Sequence, residues 1–173
     1  MAEFILKFLA KKSTLIISMI LVIITFILVM LIINPMIDGA NGLGLIELQL
    51  SFDKSAGIAI VNTWGENGIN YFNKWIFSDY IYAFSYALFF ASLLSFAMSK
   101  KGILVEEGYK NTLFLPIFAG LFDWLEDSME LMFINNQITY SDQLFFIHSI
   151  VASTKFALIM ITVIFLVIIW KKK

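Results

Sequence analysis

The chain has 173 residues, of which 60% are hydrophobic, with a mean hydropathy of +0.87 and a formal net charge of −1. This composition lies outside the range of soluble globular domains and is typical of an integral membrane protein. The near-neutral charge and the lack of a basic stripe argue against a nucleic-acid partner. The absence of cysteine excludes disulfide and thiol chemistry.

The first predicted element is a transmembrane helix over about residues 14–34. Leu15–Ile33 is almost unbroken apolar sequence, and nineteen residues at 1.5 Å each span about 28 Å, close to the hydrocarbon core. The pair Asn34-Pro35 predicts the end of this helix. Having few polar side chains, the helix is expected to face lipid or to form an oligomer contact. The apolar run is too long for a cleaved signal peptide, and no A-x-A site follows it.

Residues 35–74 are predicted to form a long loop on the outer side. Within it, Leu45–Phe52 suits a short strand or an interfacial turn, and Ser55–Trp64 suits a short helix that is capped by Asp53 or Ser55 and ended by Gly65. Three aromatic residues are expected at the headgroup level: Trp64, Tyr71 and Trp75. The loop would be either a cap on the membrane surface or a lid over a pocket.

Three further transmembrane helices are predicted at about residues 75–98, 111–135 and 143–170. The predicted fold class is therefore all-α: a polytopic membrane protein with four transmembrane helices in one bundle. No linker, low-complexity tract or internal repeat divides the chain, so residues 1–173 are predicted to be a single domain.

Lysine placement predicts the orientation of this bundle. All twelve basic residues are lysine. Nine of the twelve precede the first helix, lie between the second and third, or close the chain. Because cytoplasmic loops carry the excess of basic residues, both termini are predicted to be cytoplasmic and the protein to lie in the cell (inner) membrane.

The third predicted helix contains four carboxylates: Asp123, Glu126, Asp127 and Glu130. Four charges at membrane depth cost on the order of 10 kcal/mol, whereas the apolar residues of the helix return about 5. The four residues fall within an arc of roughly 100° because they are three, four and seven positions apart. This stripe is predicted to face the other helices, where protein, water or a bound cation would shield it.

The neighbouring helices offer polar residues that could meet the stripe, namely Asp79, Tyr82 and Tyr86 on the second helix and His148 and Lys155 on the fourth. Counting 1.5 Å per residue from the outer ends places Asp123 at about 16 Å and Lys155 at about 18 Å, which predicts a deep ion pair. The same count predicts a shallower cluster of Asp79, Glu130 and His148, with Glu126 and Asp127 between the two layers. The cavity is expected to open outward.

Several roles are open for these residues. Together they are the candidate ligand-binding set: Asp79, Tyr82, Tyr86, Asp123, Glu126, Asp127, Glu130, His148 and Lys155. Five ionised carboxylates against one lysine would leave a net charge of about −4, which a dry site does not tolerate, so either some acids are protonated or a cation is bound. Candidate metal ligands are Asp127, Glu130 and His148. Candidate acid–base catalysts are Asp123, Glu126 and His148.

Four short motifs resemble a broad group of uncharacterised small bacterial four-helix integral membrane proteins. They are W-G-x-x-G-x-x-Y (Trp64–Tyr71), D-x-x-Y-x-x-x-Y (Asp79–Tyr86), P-x6-D-x-x-E-D (Pro116–Asp127) and T-K (Thr154–Lys155). The similarity spans residues from about 50 to 160 and implies a fold and topology but no activity. The group tends to have a basic residue and an asparagine where this chain has Ile69 and Asp127.

Three function hypotheses follow. The first is an outward-opening acidic cavity that binds or conducts a cation, a proton or a small cationic molecule, with a homo-oligomer as one arrangement of the bundle in the bilayer. The second is a membrane enzyme that performs acid–base chemistry on a lipid or isoprenoid. The third is a membrane-embedded accessory subunit or effector whose polar residues serve assembly. The residues alone do not decide whether the protein is an enzyme.

Overall fold

The structure is a computed structural model that describes residues 2–39, 44–136, 139 and 141–172, and every regular element in these ranges is helical. The elements in chain order are α1 (Ala2–Leu9), α2 (Lys12–Gly39), α3 (Leu45–Gln49), α4 (Lys54–Lys100), α5 (Glu107–Lys110), α6 (Phe114–Ile134) and α7 (Asp142–Lys171). A 3₁₀ turn, Asn111–Leu113, precedes α6. The fold is all-helical, as predicted.

Three helices in the described ranges are long and apolar enough to cross a membrane: α2 over Lys12–Ile32, α4 and α7. The helix α6, with its four carboxylates, does not belong to this set. The predicted helices 111–135 and 143–170 correspond to α6 and α7. Ser141 caps α7, its side chain accepting a hydrogen bond of 3.1 Å from the amide of Leu144.

Within the predicted outer loop, 35–74, the short helix Ser55–Trp64 is present as the start of α4. The prediction is wrong before residue 50 and after Gly65 where the structure describes the chain, and residues 40–43 lie outside the described ranges. The helix α2 continues past Pro35 to Gly39, the segment Leu45–Gln49 is helical rather than a strand, and α4 begins at Lys54 rather than near residue 75. A helix interrupted by proline loses one hydrogen bond, whereas an unwound segment in an apolar setting would expose several unpaired groups. The polar residues around Asn62–Asn70 suggested a loop, yet they lie on a helix.

The helix α4 has two arms that meet at Gly65. This residue has φ 60° and ψ −173°, a backbone conformation that glycine adopts more readily than other residues. Asp53 caps the first arm by accepting a hydrogen bond of 2.8 Å from the amide of Ala56. Both the cap and the glycine were predicted; what the sequence did not reveal is that the helix resumes after Gly65.

The first arm of α4 lies across the start of α7. The amide of Phe52 donates to Ser149 Oγ at 3.2 Å, and Lys54 lies 3.6 Å from Asp142. On either side of the kink at Gly65, Trp64 and Trp75 are buried, and each packs on the ring of Phe72. Trp64 and Trp75 are therefore core residues and not the headgroup anchors that were predicted, whereas Tyr71 is exposed.

The bundle is built around α4, which packs against α2, α6 and α7. The helices α4 and α6 pack closely at Gly120. A Cβ added to Gly120 would lie 2.9 Å from Ala87 Cβ and 3.2 Å from the carbonyl oxygen of Ala83. At the end of the bundle near α3, Asn73 and Asn135 exchange side-chain hydrogen bonds of 3.0 and 2.8 Å. The opposite end, where lysines are concentrated, is filled by an apolar cluster.

The contact between Gly57 and Phe145 gives a test of how the first arm is held. A Cβ on Gly57 would lie 2.2 Å from Phe145 Cζ, so Gly57→Ala is expected to lower the free energy of unfolding by about 1–3 kcal/mol through overpacking. Adding Phe145→Leu should restore part of the loss. The measurement is denaturation of the purified protein in detergent micelles.

Gly108→Ala is the matched control, because a Cβ there would meet no atom within 4 Å. It should change stability by less than about 0.5 kcal/mol. A Gly57→Ala variant as stable as the wild type would show that the arm does not rest on Phe145.

Candidate functional site

The carboxyl stripe of α6 faces the other helices. Asp123, Glu126, Asp127 and Glu130 are all buried, with exposed fractions of 4% or less. The opposite face of α6 carries exposed apolar residues such as Leu121 and Leu125. The prediction that protein shields this stripe is therefore confirmed for the residues described.

Lys155 of α7 joins two of these carboxylates. Its Nζ lies 2.5 Å from Asp123 Oδ1 and 2.5 Å from Glu126 Oε2. The predicted pair of Asp123 and Lys155 is confirmed, and the second contact, to Glu126, was not predicted. Because removing one partner of a buried ion pair leaves an uncompensated charge, loss of Lys155 alone is expected to be costly.

The five acids and His148 form two groups. Within each group, one oxygen or nitrogen atom of every side chain lies within 4.8 Å of those of the other two. The first group is Asp79, Asp123 and Asp127; the second is Glu126, Glu130 and His148. All six residues are buried. Lys155 contacts one member of each group, so the two groups adjoin.

This division differs from the predicted layers. Asp79 lies with Asp123 and Asp127 and not with Glu130 and His148, because α4 begins far before residue 75 and distance from the presumed helix start did not measure depth. The predicted metal-ligand set is also changed. Glu126 takes the place of Asp127 beside Glu130 and His148, since Glu126 and Glu130 are four positions apart on one face of α6.

His148 is held in an aromatic setting. Its Nε2 lies 3.2 Å from Glu130 Oε1, and its ring contacts those of Phe133 and Phe145, with centroid separations of 5.9 and 5.5 Å. In the described part of the chain, its Nδ1 has no hydrogen-bond partner. The imidazole is therefore oriented by packing and by Glu130.

Asp127 is the least satisfied polar residue of the site. It is fully buried, and among the residues that the structure describes neither of its carboxylate oxygens has a hydrogen-bond partner. Buried polar groups are almost always paired in proteins, and an unpaired carboxylate is among the costliest to bury. Stability therefore does not explain why an aspartate occupies this buried position, and a functional role is expected.

A cavity of about 400 Å³ reaches the first group from the side of α3. Five predicted site residues line it: Asp79, Tyr82, Tyr86, Asp123 and Lys155. Its lining does not include the other four, Glu126, Asp127, Glu130 and His148. Asp123 and Lys155 thus lie in the wall of the cavity, whose lining continues one helical turn further to Phe90 and Ile159, and the second group lies apart from it.

The sequence missed several residues that line the cavity: Gln49, Trp75, Phe90, Phe156 and Ile159. Trp75, Asp79, Tyr82, Tyr86 and Phe90 recur at four, three, four and four positions, which is the spacing of one helix face. Extending the stripe from Asp79 in both directions would have found Trp75 and Phe90. No sequence signal indicates Gln49, because the apolar pattern of its segment favours a strand or turn.

Comparison with protein-family models, with curated proteins and with solved structures finds no match to this chain. The function must therefore be argued from the geometry of the site.

Proposed function

We propose that the protein is an integral protein of the cell membrane that binds a cation in its cavity and carries it across the bilayer. In this proposal α2, α4, α6 and α7 all cross the membrane, with both termini in the cytoplasm. Three of these helices are apolar enough to do so, and the 21 residues of α6 extend about 30 Å. Nine of the twelve lysines lie at or before the start of α2, between the apolar parts of α4 and α6, or at the end of the chain, which supports this orientation.

The observation that carries the proposal is the group of three aspartates, two of which, Asp79 and Asp123, line the cavity. The carboxylate oxygens of Asp79, Asp123 and Asp127 lie within 4.8 Å of one another. Of these three aspartates, Asp123 is the one that forms an ion pair with Lys155 among the described residues. Asp127 has two buried oxygens without a partner in the same part of the chain. Carboxylate oxygens gathered in this way suit a hard cation or a shared proton.

Charge balance leads to the same conclusion. The two groups and Lys155 together hold five carboxylates and one lysine, so full ionisation would leave four negative charges, or three with a charged His148. Ionisable residues inside membrane segments are costly and usually mark ion or proton pathways. A bound cation or proton would offset this charge.

The shape of the molecule favours a carrier over an open pore. The cavity is lined from α3 at one end to Phe90 and Ile159 at the other, whereas the end of the bundle rich in lysine is closed by the buried residues Leu94, Met98, Leu113 and Ile169. A cation would therefore reach the aspartates from the outer side. Its release to the cytoplasm would require the apolar cluster to open.

Flux into liposomes tests this function. Purified protein would be reconstituted and assayed in parallel for proton uptake with a trapped pH-sensitive dye, for a radiolabelled alkali cation, and for labelled methylammonium. Asp123→Asn is expected to reduce the flux of the transported species at least about tenfold, because a cation site loses one of its charged ligands. Asp142→Asn, which neutralises an exposed aspartate on α7, should leave the flux unchanged.

The proposal fails if none of the three species enters faster than into protein-free liposomes. It also fails if the flux survives Asp123→Asn while the variant elutes and melts like the wild type.

A second candidate function is favoured by the walls of the cavity. Tyr82, Tyr86, Phe90, Phe156 and Ile159 form an apolar and aromatic lining that leads to Asp123 and Lys155, which would suit an enzyme acting on a lipid or isoprenoid. Lipid-shaped density between α4 and α7 in an experimental map, together with absence of cation flux, would favour this function over transport.

A further inference from the structure

We propose that Glu126, Glu130 and His148 bind one divalent first-row metal ion, at a site separate from the cavity. The three side chains come from α6 and α7 and offer two carboxylates and one imidazole within 4.8 Å of one another. None of the three lines the cavity that reaches the aspartates. The metal site therefore goes beyond cation transport and does not depend on it.

An unsatisfied oxygen points to a ligand at this place. Glu126 is fully buried, and while its Oε2 contacts Lys155, its Oε1 has no hydrogen-bond partner among the described residues. An ion pair alone does not explain why one oxygen of a buried carboxylate lacks a hydrogen-bond partner. Coordination of a cation would satisfy this oxygen.

The spacing of the donor atoms suits coordination. Two ligands bound tetrahedrally at 2.0–2.1 Å from a metal lie about 3.3 Å apart. His148 Nε2 and Glu130 Oε1 are 3.2 Å apart. The widest separation in the group, at most 4.8 Å, would have to shorten by no more than about 1.5 Å by the same geometry, which a rotation of the flexible glutamate side chains can provide.

The donor set also restricts the metal. Imidazole favours zinc, iron, nickel and copper, whereas carboxylates suit manganese, magnesium and calcium, so a mixed set of one imidazole and two carboxylates suits Mn²⁺, Fe²⁺ or Zn²⁺. The chain contains one histidine and no cysteine, which excludes a thiolate site or a multi-histidine site within one protomer. With three protein ligands, at least one coordination position would remain for water or a ligand.

The neighbouring lysine would adjust the charge of such a site. Glu126 and Glu130 with a divalent ion are neutral together, and Lys155, 2.5 Å from Glu126 Oε2, also contacts Asp123. Binding of the metal would therefore leave Lys155 paired mainly with Asp123. A metal at the second group would in this way lower the excess negative charge of the two groups from four to two, the charges of Asp79 and Asp127 remaining.

Titration with Co²⁺ tests this site, because its visible absorption reports coordination geometry. The full chain in lipid nanodiscs would be treated with a chelator, desalted and titrated with Co²⁺ alone. A second metal-free sample would be titrated with Mn²⁺, and the bound Mn²⁺ would be followed by electron paramagnetic resonance. We expect one Co²⁺ to bind per chain, with absorption bands typical of a four- or five-coordinate ion. We also expect the melting temperature of the protein to rise on binding. Glu126→Gln and His148→Gln should each weaken the affinity at least about tenfold.

Asp142→Asn provides the control for loss of a surface carboxylate and should bind Co²⁺ as the wild type does. Should a glutamine variant fail to fold, Asp79→Asn decides between the two groups, because it should retain Co²⁺ binding and the melting shift if the ion lies at Glu126, Glu130 and His148. The proposal is overturned if the wild type binds no Co²⁺ and its melting temperature does not change. It is equally overturned if Asp79→Asn abolishes Co²⁺ binding while His148→Gln does not, because the ion would then sit among the aspartates.

Discussion

Replacing Lys155 with methionine should lower the free energy of unfolding by about 3–5 kcal/mol, the cost of breaking a buried ion pair from one side. The expected effect is large because one ammonium serves two carboxylates. Its Nζ contacts both Asp123 and Glu126 at 2.5 Å, and both acids are buried. Methionine preserves most of the side-chain volume, so the loss would report charge and not a cavity.

A neutral triad separates the charge effect from the packing effect. Lys155→Met combined with Asp123→Asn and Glu126→Gln removes the cation together with both anions, and the stability is expected to return to within about 1–2 kcal/mol of the wild type or to exceed it. Unfolding would be followed by helical circular dichroism during titration with a denaturing detergent. The triple variant should nevertheless be inactive in the flux assay.

Lys54→Met is the control, since Lys54 makes a longer contact of 3.6 Å with the exposed side chain of Asp142. Such a surface pair contributes at most about 1 kcal/mol. Equal losses from Lys155→Met and Lys54→Met would contradict a special role for the buried lysine.

The sequence predicted the pairing of Asp123 with Lys155 because α6 and α7 are consecutive helices. With a short connection between antiparallel helices, positions counted from the shared end give relative depth directly at 1.5 Å per residue. The observed contact of 2.5 Å agrees with that count. A separate argument, the cost of exposing four charges on one face of a membrane helix, predicted that the carboxyl stripe faces protein, and all four side chains are buried.

The place of Asp79 could not be predicted in the same way. Depth on α4 requires the start of that helix, and the start was obscured by polar residues between Asn62 and Asn70 that resemble a loop in composition. The helix is retained there because its aromatic residues Trp64 and Phe72 are buried against the core, a tertiary effect that local propensity does not contain. Once α4 is extended, Asp79 lies beside Asp123 and Asp127.

The division of the acids into two groups also needed the structure. On α6 alone, Glu126 and Asp127 are adjacent, and the sequence could only place both between the layers. Adjacent residues on a helix point about 100° apart, so they turn toward different partners. Glu126 meets His148 and Lys155 of α7, whereas Asp127 turns toward Asp79 of α4. The partner helix, not the stripe itself, decides which carboxylates act together.

Asp127→Asn should make the protein more stable while it abolishes cation flux. Asp127 is fully buried, and neither of its oxygens has a partner in the described part of the chain. Removing its charge while keeping its shape relieves like-charge repulsion from Asp79 and Asp123, and we expect a gain in the free energy of unfolding of about 1–4 kcal/mol. A residue retained at such a cost is expected to serve function.

The two measurements together distinguish function from structure. The gain would appear as a higher midpoint in the denaturing-detergent titration, measured in the absence of added cations, and the loss would appear in the liposome assay. Asp142→Asn should change neither, because its side chain is exposed. If Asp127→Asn is instead less stable than the wild type, Asp127 holds a structural partner, and the three aspartates would be part of the packing of α4 on α6 rather than a cation site.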